Sequence, residues 1–497
     1  MQIGSLIRRS ARQFSDTPCL VQDGRTLTYA DFDAATDRLG NALLARGLVP
    51  GDRVGVLLPN SIECIIAYYA LAKAGLVRVG MNTRETVADH TYKLTDSGAR
   101  AVIHAGPDDL PPKNDLPPEI AIGWDDLTAM IDHGDPAPCA VDRDLDAPYR
   151  LGYTGGTTGQ PKAVTLTTRG ELSELSAFLT DLMPEIREGD TFLHAAPIAH
   201  ASGAFFLPAI ARGATSLVMT KFDAAGFIAM AEAEQATLTF LVPTMLAMIL
   251  AEPSVETADV AFRRIAYGAS PIAESVLRRA EARFGRIFAQ TYGQAESPMV
   301  ITCLKPEDHD RIGSCGRPFT IVDVAVLDDD DNEVPVGETG EICCRGPQTM
   351  AYYWGRPEAT GKAFRNGWLH TGDVGRMDED GFFYILDRKN DMLISGGYNV
   401  YPREVEDVLL ACEGVVEAAV VGTPDAVWGD RVEAVVAGRD GLDAETVLQH
   451  ARTRLAGHKC PKAVAIWPEL PKSGANKILR REVRARLIAG RERERQA

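Results

Sequence analysis

The sequence lacks the features that mark membrane-spanning and nucleic-acid-binding proteins. Its most apolar stretch, IECIIAYYALAKAGLV at 62–77, is interrupted by Glu63 and Lys73 and therefore predicts a buried helix. Basic residues are in the minority, with 52 Lys and Arg against 69 Asp and Glu, for a formal net charge of −17. Such a balance disfavours binding to nucleic acid and to anionic membrane surfaces. We expect neither a nucleic-acid partner nor membrane insertion.

The sequence also lacks paired cysteine spacings of the kind that hold zinc. Its nine cysteines are scattered, and the only neighbours are Cys343 and Cys344 in GEICCRG. Alternation along a strand predicts that one of these two faces the core and the other faces outward. We expect unreactive core thiols and a reducing, cytoplasmic location. The N-terminal segment MQIGSLIRRSARQF has no apolar run after its arginines, so it predicts an amphipathic helix and not a signal peptide.

What the sequence does contain is a repeated alternation of strand and helix patterns. At 497 residues the chain is longer than a single hydrophobic core usually accommodates, so its length predicts several domains. The segments TFLHAAP, TSLVM, TLTFLVP and RIAYGAS predict strands, and FDAAGFIAMAEAEQ and ESVLRRAEARFG predict helices. This alternation is typical of an α/β fold with parallel sheets and helices on both faces. Ligands then bind beyond the carboxyl ends of the strands.

The pattern changes after Gly316. Alternating strands separated by four aspartates at 328–331 predict a small β-rich subdomain, with the aspartates at a solvated hairpin tip in preference to a cation site. From Arg388 onward a glycine loop, a helix at 402–412, two strands and a helix near 443–455 predict a small α+β domain. We therefore expect a large N-terminal domain at 1–387 and a C-terminal domain at 388–497.

The segment YTGGTTGQPKAV at 153–164 indicates phosphate binding. Glycines allow backbone angles closed to other residues, threonines offer hydroxyls, and Lys162 offers a positive charge. A Walker loop needs Lys directly after its last Gly, whereas Gln160 and Pro161 intervene here. The segment is therefore either a different phosphate-binding loop or a surface turn.

The order of several motifs decides between these alternatives. The loop is followed by PIAHASG at 197–203, YGASP at 267–271, QTYGQAE at 290–296, GWLHTGDVG at 367–375, DRKNDMLISGGYNVYPREVE at 387–406 and LPKSGANKILRR at 470–481. In this order and at these intervals the sequence resembles the adenylate-forming superfamily of acyl-CoA synthetases, nonribosomal adenylation domains and luciferases. The resemblance covers nearly the whole chain.

The resemblance implies a two-step reaction. A carboxylic acid attacks the α-phosphate of ATP, pyrophosphate leaves, and a thiol such as that of CoA then displaces AMP from the acyl-adenylate. Phosphoryl chemistry of this kind depends on positioning and charge neutralisation. ATP, Mg²⁺ and CoA are thus the expected cofactors and co-substrates, and the small C-terminal domain is expected to be mobile and to rotate between the two steps.

The resemblance also implies roles for individual residues. Lys477 is the expected catalytic lysine, and Glu296 is the expected Mg²⁺ ligand with a catalytic role. Tyr292 and Gly293 are expected to pack against adenine, and Asp373 is expected to bind the ribose hydroxyls together with Arg388. The remaining expected nucleotide and pantetheine contacts are Thr154, Gly155, Gly156, Thr157, Thr158, Gly159, Lys162, Gly268, Ala269, Ser270, Thr291, Gly396 and Gly397.

The acid is expected near His200, the TFLVPTM stretch and residues 267–270 and 294–299. His200 is either a core histidine or a catalytic residue beside the acyl group and the thiol route. These segments offer no obvious Arg for a dicarboxylate, so a small to medium acid, aromatic or short aliphatic, is expected.

Among the departures from the family pattern, three bear on the reaction: Ala295, where Thr is usual, Asn390, where Asp or Lys is usual, and Asn476, where Gly is common. Thr291 is one candidate for supplying the phosphate hydrogen bond that Ala295 cannot make. The departures keep a second interpretation open, in which a stand-alone adenylation enzyme passes its adenylate to a carrier-protein thiol, an amine or another nucleophile. A non-catalytic binding protein is a third, and a homodimer is one expected assembly.

Overall fold

The computed structural model describes residues 1–112, 115–116, 118–154, 160–389, 391–425, 428–439, 441–472 and 478–496, with side chains through residue 490. These residues form two compact units. The first comprises Met1–Val324 and Cys344–Leu369, and the second comprises Ala325–Cys343 and His370–Ala497. The expected boundary between 387 and 388 stays a prediction.

The α-helices of the described residues are α1 (Ile3–Gln13), α2 (Tyr29–Ala45), α3 (Ile62–Lys73), α4 (Val87–Ser97), α5 (Trp124–His133), α6 (Thr168–Ala177), α7 (Phe206–Arg212), α8 (Ala224–Ala233), α9 (Pro243–Ala251), α10 (Glu274–Phe284), α11 (Pro357–Ala363), α12 (Pro402–Leu410), α13 (Ala444–Arg452) and α14 (Arg480–Gln496).

The strands are β1 (Pro18–Gln22), β2 (Arg25–Thr28), β3 (Arg53–Leu57), β4 (Val77–Gly80), β5 (Ala101–His104), β6 (Ile120–Ile122), β7 (Pro148–Tyr153), β8 (Ala163–Thr167), β9 (Thr191–His194), β10 (Thr215–Val218), β11 (Leu238–Leu241), β12 (Arg264–Gly268), β13 (Phe288–Gln294), β14 (Ser297–Leu304), β15 (Arg317–Pro318), β16 (Asp323–Leu327), β17 (Gly340–Arg345), β18 (Tyr352–Tyr353), β19 (Phe364–Arg365), β20 (Trp368–Met377), β21 (Phe383–Arg388), β22 (Leu393–Ser395), β23 (Tyr398–Val400), β24 (Val415–Asp425), β25 (Gly429–Gly438) and β26 (Val464–Ile466).

A nine-stranded sheet in the first unit contains the predicted α/β core. Its strand order is β15-β14-β13-β12-β11-β9-β10-β1-β2. The strands from β13 through β12, β11 and β9 to β10 run parallel, and α8 and α10 lie on connections between them. The predicted parallel sheet with alternating helices is confirmed. Parallel strands bring their carboxyl ends to one edge, where the following loops meet.

A second sheet of the first unit has the order β18-β8-β7-β4-β3-β5-β6. Strands β7, β4, β3, β5 and β6 are parallel, whereas β8 turns back beside β7 and pairs Tyr153 with Ala163. This hairpin places the two ends of the predicted phosphate loop side by side.

The most apolar stretch forms the buried helix α3, as predicted. Ser61 begins it by accepting a hydrogen bond from the Cys64 amide. Lys73 at its end is 1% exposed, and its ammonium lies 2.8 Å from Asp37 Oδ1. A buried charge must be paired, so this contact makes the burial of Lys73 tolerable. In the part of the chain that the structure describes, no helix is long and apolar enough to cross a membrane.

The second unit contains two smaller sheets. In one, β16, β17, β20 and β21 are neighbours in that order, and in the other the order is β23-β22-β25-β24 with β26 beside β25. Helices α12 and α13 pack with the second sheet around Val405, Val420 and Val447. The helices and strands predicted after Arg388 are confirmed. At the acidic tip, Asp328 accepts hydrogen bonds from the Asp330 and Asn332 amides, each at 2.9 Å, which closes a turn.

One prediction about β17 is wrong. Cys343 and Cys344 are both fully buried, because four consecutive residues of this strand are covered on both faces. Alternation assigns opposite faces correctly but assumes that one face meets solvent. All nine cysteines are buried free thiols, as expected for core residues.

Candidate active site

The predicted acid-binding segments meet at one edge of the nine-stranded sheet. Strands β9, β11 and β12 are parallel neighbours that end at His194, Leu241 and Gly268. Gly268 pairs with Thr291 of β13, so YGASP and QTYGQAE lie side by side. The carboxyl edge therefore assembles segments separated by about a hundred residues of sequence, at the location where α/β sheets bind ligands.

The backbone at this edge is unusual. Ala269 has φ 70° and Met299 has φ 56°, in the left-handed region that non-glycine residues rarely adopt. A Cβ at Gly268 would lie 2.4 Å from the Thr291 carbonyl oxygen, so only glycine fits there. Left-handed non-glycine residues cluster at functional sites, where surrounding structure holds them. The strain supports a ligand site at 267–270 and 294–299.

Thr291 and Gly293 lie against the segment that follows them. A Cβ at Gly293 would lie 2.4 Å from the Met299 amide nitrogen. Thr291 is 3% exposed, and its hydroxyl donates to the Met299 carbonyl. The hydroxyl proton is therefore already used, which argues against Thr291 as the donor that replaces the usual Thr at Ala295. The nucleotide contacts of Thr291, Tyr292 and Gly293 stay predictions.

Glu296 and Lys162 meet at a tyrosine that the sequence did not single out. The Tyr353 hydroxyl donates to Glu296 Oε1 at 2.6 Å, and the Lys162 ammonium lies 4.4 Å from the centre of the Tyr353 ring. Tyr353 is 6% exposed and pairs with Val164 at the edge of the seven-stranded sheet. A hydrogen bond to a carboxylate fixes its orientation. The structure thus brings the predicted phosphate-loop lysine and the predicted Mg²⁺ ligand to one place.

The phosphate loop is closed at its base. The Thr154 amide donates to the Lys162 carbonyl at 3.1 Å, and the Tyr92 hydroxyl donates to the Pro161 carbonyl at 2.7 Å. Gly155, Gly156, Thr157, Thr158 and Gly159 lie outside the described residues, as do Asn390, Asn476 and the expected catalytic Lys477.

Two histidines near the end of β9 have different environments. His194 is fully buried between the rings of Phe192 and Phe206, and burial lowers its pKa to about 3. His200 is exposed, and its Nε2 lies 2.8 Å from the side-chain nitrogen of Asn82. The interpretation of His200 as a core histidine is therefore wrong, and the core histidine of this region is His194 at the end of β9.

The predicted ribose pair forms in the second unit. Asp373 of β20 and Arg388 of β21 are directly opposite in antiparallel register, and Arg388 Nε lies 2.6 Å from Asp373 Oδ1. Asp373 is buried while the Arg388 side chain is half exposed. The lone charge of Asp373 is thus balanced and oriented by a neighbouring strand.

A buried polar network supports the turn before Asp373. Glu341 Oε1 accepts from the Gly372 amide at 2.9 Å, while Oε2 lies 3.2 Å from His370 Nδ1 and 3.3 Å from the Lys389 ammonium. Cys343 Sγ lies 3.3 Å from the same His370 nitrogen. Glu, Cys and His are also metal-ligand types. Both Glu341 oxygens are occupied by N–H groups, so we interpret the cluster as a support for β20.

The two glycines of ISGGYN adopt left-handed angles, φ 60° at Gly396 and φ 82° at Gly397. A Cβ at Gly396 would lie 2.9 Å from the Trp428 ring, whereas one at Gly397 would meet nothing within 4 Å. Gly396 is thus constrained by packing as well as by its backbone, and Gly397 faces open space.

Comparison with known families accounts for most of the chain. The AMP-binding enzyme model matches residues 7–354, and the AMP-binding enzyme C-terminal domain model matches residues 404–477. The chain belongs to the AMP-binding enzyme family.

Curated relatives of this AMP-binding enzyme are ligases. It is 37% identical to the feruloyl-CoA synthase of an Amycolatopsis species over 98% of this chain and 99% of that protein. It is 37% identical to a medium/long-chain-fatty-acid–CoA ligase of Mycobacterium tuberculosis over 98% of this chain and 90% of that protein. It is 36% identical to a fatty acid–[acyl-carrier-protein] ligase of Streptomyces coeruleorubidus over 95% of this chain and 93% of that protein.

Solved structures share its fold. The o-succinylbenzoate-CoA synthetase of Bacillus subtilis in complex with an acyl-adenylate intermediate is 30% identical, with a TM-score of 0.89, over 96% of this chain and 97% of that one. The same enzyme with ATP and a magnesium ion is 29% identical, with a TM-score of 0.88, over 96% of this chain and 98% of that one. The expected fold is therefore confirmed.

The predicted activity is confirmed at the level of reaction class. This AMP-binding enzyme is an AMP-forming acid–CoA ligase that activates a small-molecule carboxylic acid with ATP and transfers it to CoA. The individual roles of the site residues stay predictions.

Two residues at the candidate site, Tyr353 and Asn82, were not predicted from the sequence. Tyr353 belongs to the aromatic segment YYW at 352–354, and Asn82 follows β4 in GMNTR at 80–84. Neither segment carries phosphate or acid–base chemistry by itself. Their partners Glu296 and His200 lie 57 and 118 positions away, so only the packing of the two sheets of the first unit identifies them.

Proposed function

We propose that Glu296, held by the Tyr353 hydroxyl, binds Mg²⁺ between the phosphates of ATP while Lys162 and the loop after Thr154 bind the β- and γ-phosphates. A hard cation prefers carboxylate oxygens, and an oriented carboxylate loses less entropy on binding it. The contact of Glu296 and Lys162 with one tyrosine is the observation that carries this proposal.

Lys477 would supply charge to the first step. The acid carboxylate and the triphosphate repel each other, so a cation at the reacting oxygens lowers the barrier. The carboxylate oxygen bonds to the α-phosphorus as the bond to pyrophosphate breaks. Asp373 and Arg388 would hold the ribose, and residues 267–270 and 292–293 would hold the adenine.

The acid would carry an uncharged body. The segments 194–202, 239–245, 267–270 and 294–299 contain no Lys or Arg, so they offer no cation for a second carboxylate. Relatives named for feruloyl and fatty acyl groups support an aromatic or aliphatic monocarboxylic acid. His200, exposed at this edge, would donate to an oxygen of the acid.

In the second step the thiol of CoA attacks the acyl carbonyl and AMP leaves. Gly397 has open space beside it and would leave room for the pantetheine arm of CoA after the C-terminal domain rotates. A carrier-protein thiol is the second candidate acceptor, supported by the acyl-carrier-protein ligase among the relatives. Nine buried free thiols support a reducing cytoplasm. The homodimer stays a prediction.

The test is a panel of aromatic and aliphatic monocarboxylic and dicarboxylic acids with ATP, scored for AMP release with and without CoA. We expect CoA-dependent AMP release with monocarboxylic acids and loss of turnover when Mg²⁺ is removed by EDTA and restored by its return. A preference for dicarboxylic acids contradicts the proposed acid class. Pyrophosphate exchange without any thioester from CoA, combined with loading of a carrier protein, favours the second acceptor.

A further inference from the structure

The environment of Asn82 fixes the direction of its hydrogen bond to His200. Asn82 is 5% exposed and follows β4 of the seven-stranded sheet, while His200 follows β9 of the nine-stranded sheet. The Asn82 side-chain nitrogen lies 2.8 Å from His200 Nε2. Because the oxygen and nitrogen of a side-chain amide are similar in size, the other hydrogen bonds of Asn82 determine which of the two atoms faces the histidine.

The backbone amide of Arg84 determines which end of the Asn82 side chain is the oxygen. This amide donates to Asn82 Oδ1 at 3.1 Å, and an amide N–H can only donate, so the atom that it meets is the oxygen. The other end of the Asn82 amide is then an NH₂ group, which faces His200. The His200 Nε2 must accept, and the neutral ring must carry its proton on Nδ1.

The backbone of Asn82 is held as firmly as its side chain. Its amide donates to Glu85 Oε2 at 3.3 Å, and its carbonyl accepts from the Glu85 amide at 3.0 Å. His90, which is fully buried, places Nε2 2.9 Å from the same carbonyl. Rotation of the Asn82 amide would set its NH₂ group against the Arg84 N–H, so the orientation cannot reverse without loss of a buried hydrogen bond.

We propose that Asn82 is a positioning residue that holds His200 as the neutral tautomer protonated on Nδ1. A proton on Nε2 would set two donors against each other at 2.8 Å, so the contact disfavours both the imidazolium and the other tautomer. The benefit for the first step rests on the proposed role of His200. An imidazolium beside the acid would neutralise or protonate the attacking carboxylate, whereas a neutral N–H donor orients it and leaves its lone pairs reactive.

The first test is a direct measurement of the tautomer in the full-length protein. Histidine labelled with ¹⁵N gives distinct signals for protonated and unprotonated ring nitrogens, and a His200→Gln variant assigns the signal. We expect an unprotonated Nε2 and a protonated Nδ1 near neutral pH. An Nε2–H or an imidazolium at His200 in the wild-type protein overturns the proposal, and this measurement needs no Asn82 variant that folds.

Asn82→Asp is the matched charge substitution. One carboxylate oxygen still accepts from Arg84 and the other faces His200, which now needs a proton on Nε2. We expect the ¹⁵N signals to report that proton and pyrophosphate exchange to fall by up to about 100-fold, as for other small misplacements of a reacting group. An unchanged tautomer overturns the proposal.

Asn60→Asp is the control for support of the loop. Asn60 holds the same turn, because its Oδ1 accepts from the Ile198 amide at 2.9 Å, but its side chain contacts backbone groups and not His200. We expect the His200 tautomer to stay as in wild type in this variant. A tautomer change there, equal to that of Asn82→Asp, shows that loop displacement alone moves the proton and overturns the assignment to Asn82.

Combination with His200→Gln separates the two proposals. If Asn82 acts through His200, Asn82→Asp adds no further loss of exchange in the His200→Gln background. An additional loss there contradicts the positioning role. If His200→Gln alone keeps the wild-type rate, the proposed role of His200 fails, while the tautomer measurement still confirms or refutes the effect of Asn82 on the ring.

Discussion

The first unit and the second unit position their predicted ATP-binding residues in different ways. In the first unit, parallel strands end at a common edge, and Glu296 finds its partner Tyr353 57 positions away. In the second unit, Asp373 and Arg388 face each other across an antiparallel hairpin, 15 positions apart. The two strands of a hairpin are paired by local register. Glu296 and Tyr353 belong to two different sheets and meet only because those sheets pack against each other. Motif residues therefore predict pairs within a hairpin, but they do not predict the distant residues that support them.

The largest expected effect tests what the second unit contributes to chemistry. Lys477→Ala should lower pyrophosphate exchange by about 10²- to 10³-fold, since removal of a comparable electrostatic group costs about 3 to 4 kcal/mol of transition-state stabilisation. Hydrolysis of a supplied acyl-adenylate should change little. Lys472→Ala is the matched control, because Lys472 is ion-paired with Glu417 in the same segment. Equal losses in the two variants would contradict the assignment.

The next largest effect tests the distant support in the first unit. Tyr353→Phe removes the hydrogen bond to Glu296, which as a bond to a charged group contributes about 1.5 to 3 kcal/mol. We expect the KM for ATP and the Mg²⁺ requirement of pyrophosphate exchange to rise about 10-fold or more. Tyr352→Phe changes the exposed neighbour that stacks on Trp354 and should leave both unchanged. A wild-type Mg²⁺ requirement in Tyr353→Phe would show that Glu296 needs no support.

The buried His194 of the first unit should make the free energy of unfolding depend on pH in the acid range. His194 has a folded-state pKa of about 3, below its ordinary value of 6.5, so the unfolded chain binds this proton more tightly. The stabilising contribution of neutral His194 is fully present above pH 6.5. As the pH falls from 6.5 towards 3, the unfolded chain takes up a proton that the folded chain does not, so the free energy of unfolding decreases by up to about 1.4 kcal/mol per pH unit.

His194→Gln should therefore flatten the decrease of unfolding free energy below pH 6.5, as measured by urea denaturation at several pH values. Gln keeps polar contact with Ser202 and Ser216 but does not titrate in this range. His133→Gln, at an exposed position, provides the comparison and should retain the wild-type slope. The same slope in all three proteins would assign the acid sensitivity to other groups.

The smallest expected effect concerns the glycine loop of the second unit, where the left-handed backbone angles should determine how much a side chain destabilises the protein. Gly397→Ala should lower the free energy of unfolding by about 1 to 2 kcal/mol, the usual cost of a side chain in the left-handed region. Gly396→Ala should cost more, because its Cβ would also meet Trp428 at 2.9 Å. Thermal and denaturant unfolding measure both. Equal losses would mean that Trp428 moves aside freely.

The sequence predicted elements whose signals are local. The apolar stretch at 62–77, interrupted by Glu63 and Lys73, predicted helix α3, and the alternation of strands with helices predicted the parallel sheet. It failed at Cys343 and Cys344, because alternation along a strand does not reveal that both faces of β17 are covered. It left two alternatives for His200, and the structure excludes one of them by placing His194 in the core and His200 at the surface, while the catalytic role of His200 stays a prediction.

The class of this protein, an α/β AMP-forming ligase, was predictable from the sequence because its ordered motifs resemble those of the adenylate-forming superfamily. The residues that support the predicted site residues were not predictable in this way and are identified by the folded structure. Tyr353 beside Glu296 and Asn82 beside His200 are ordinary residues in their own segments. Their roles arise when two sheets pack, because a hydrogen bond depends on distance and direction in space and not on separation along the chain.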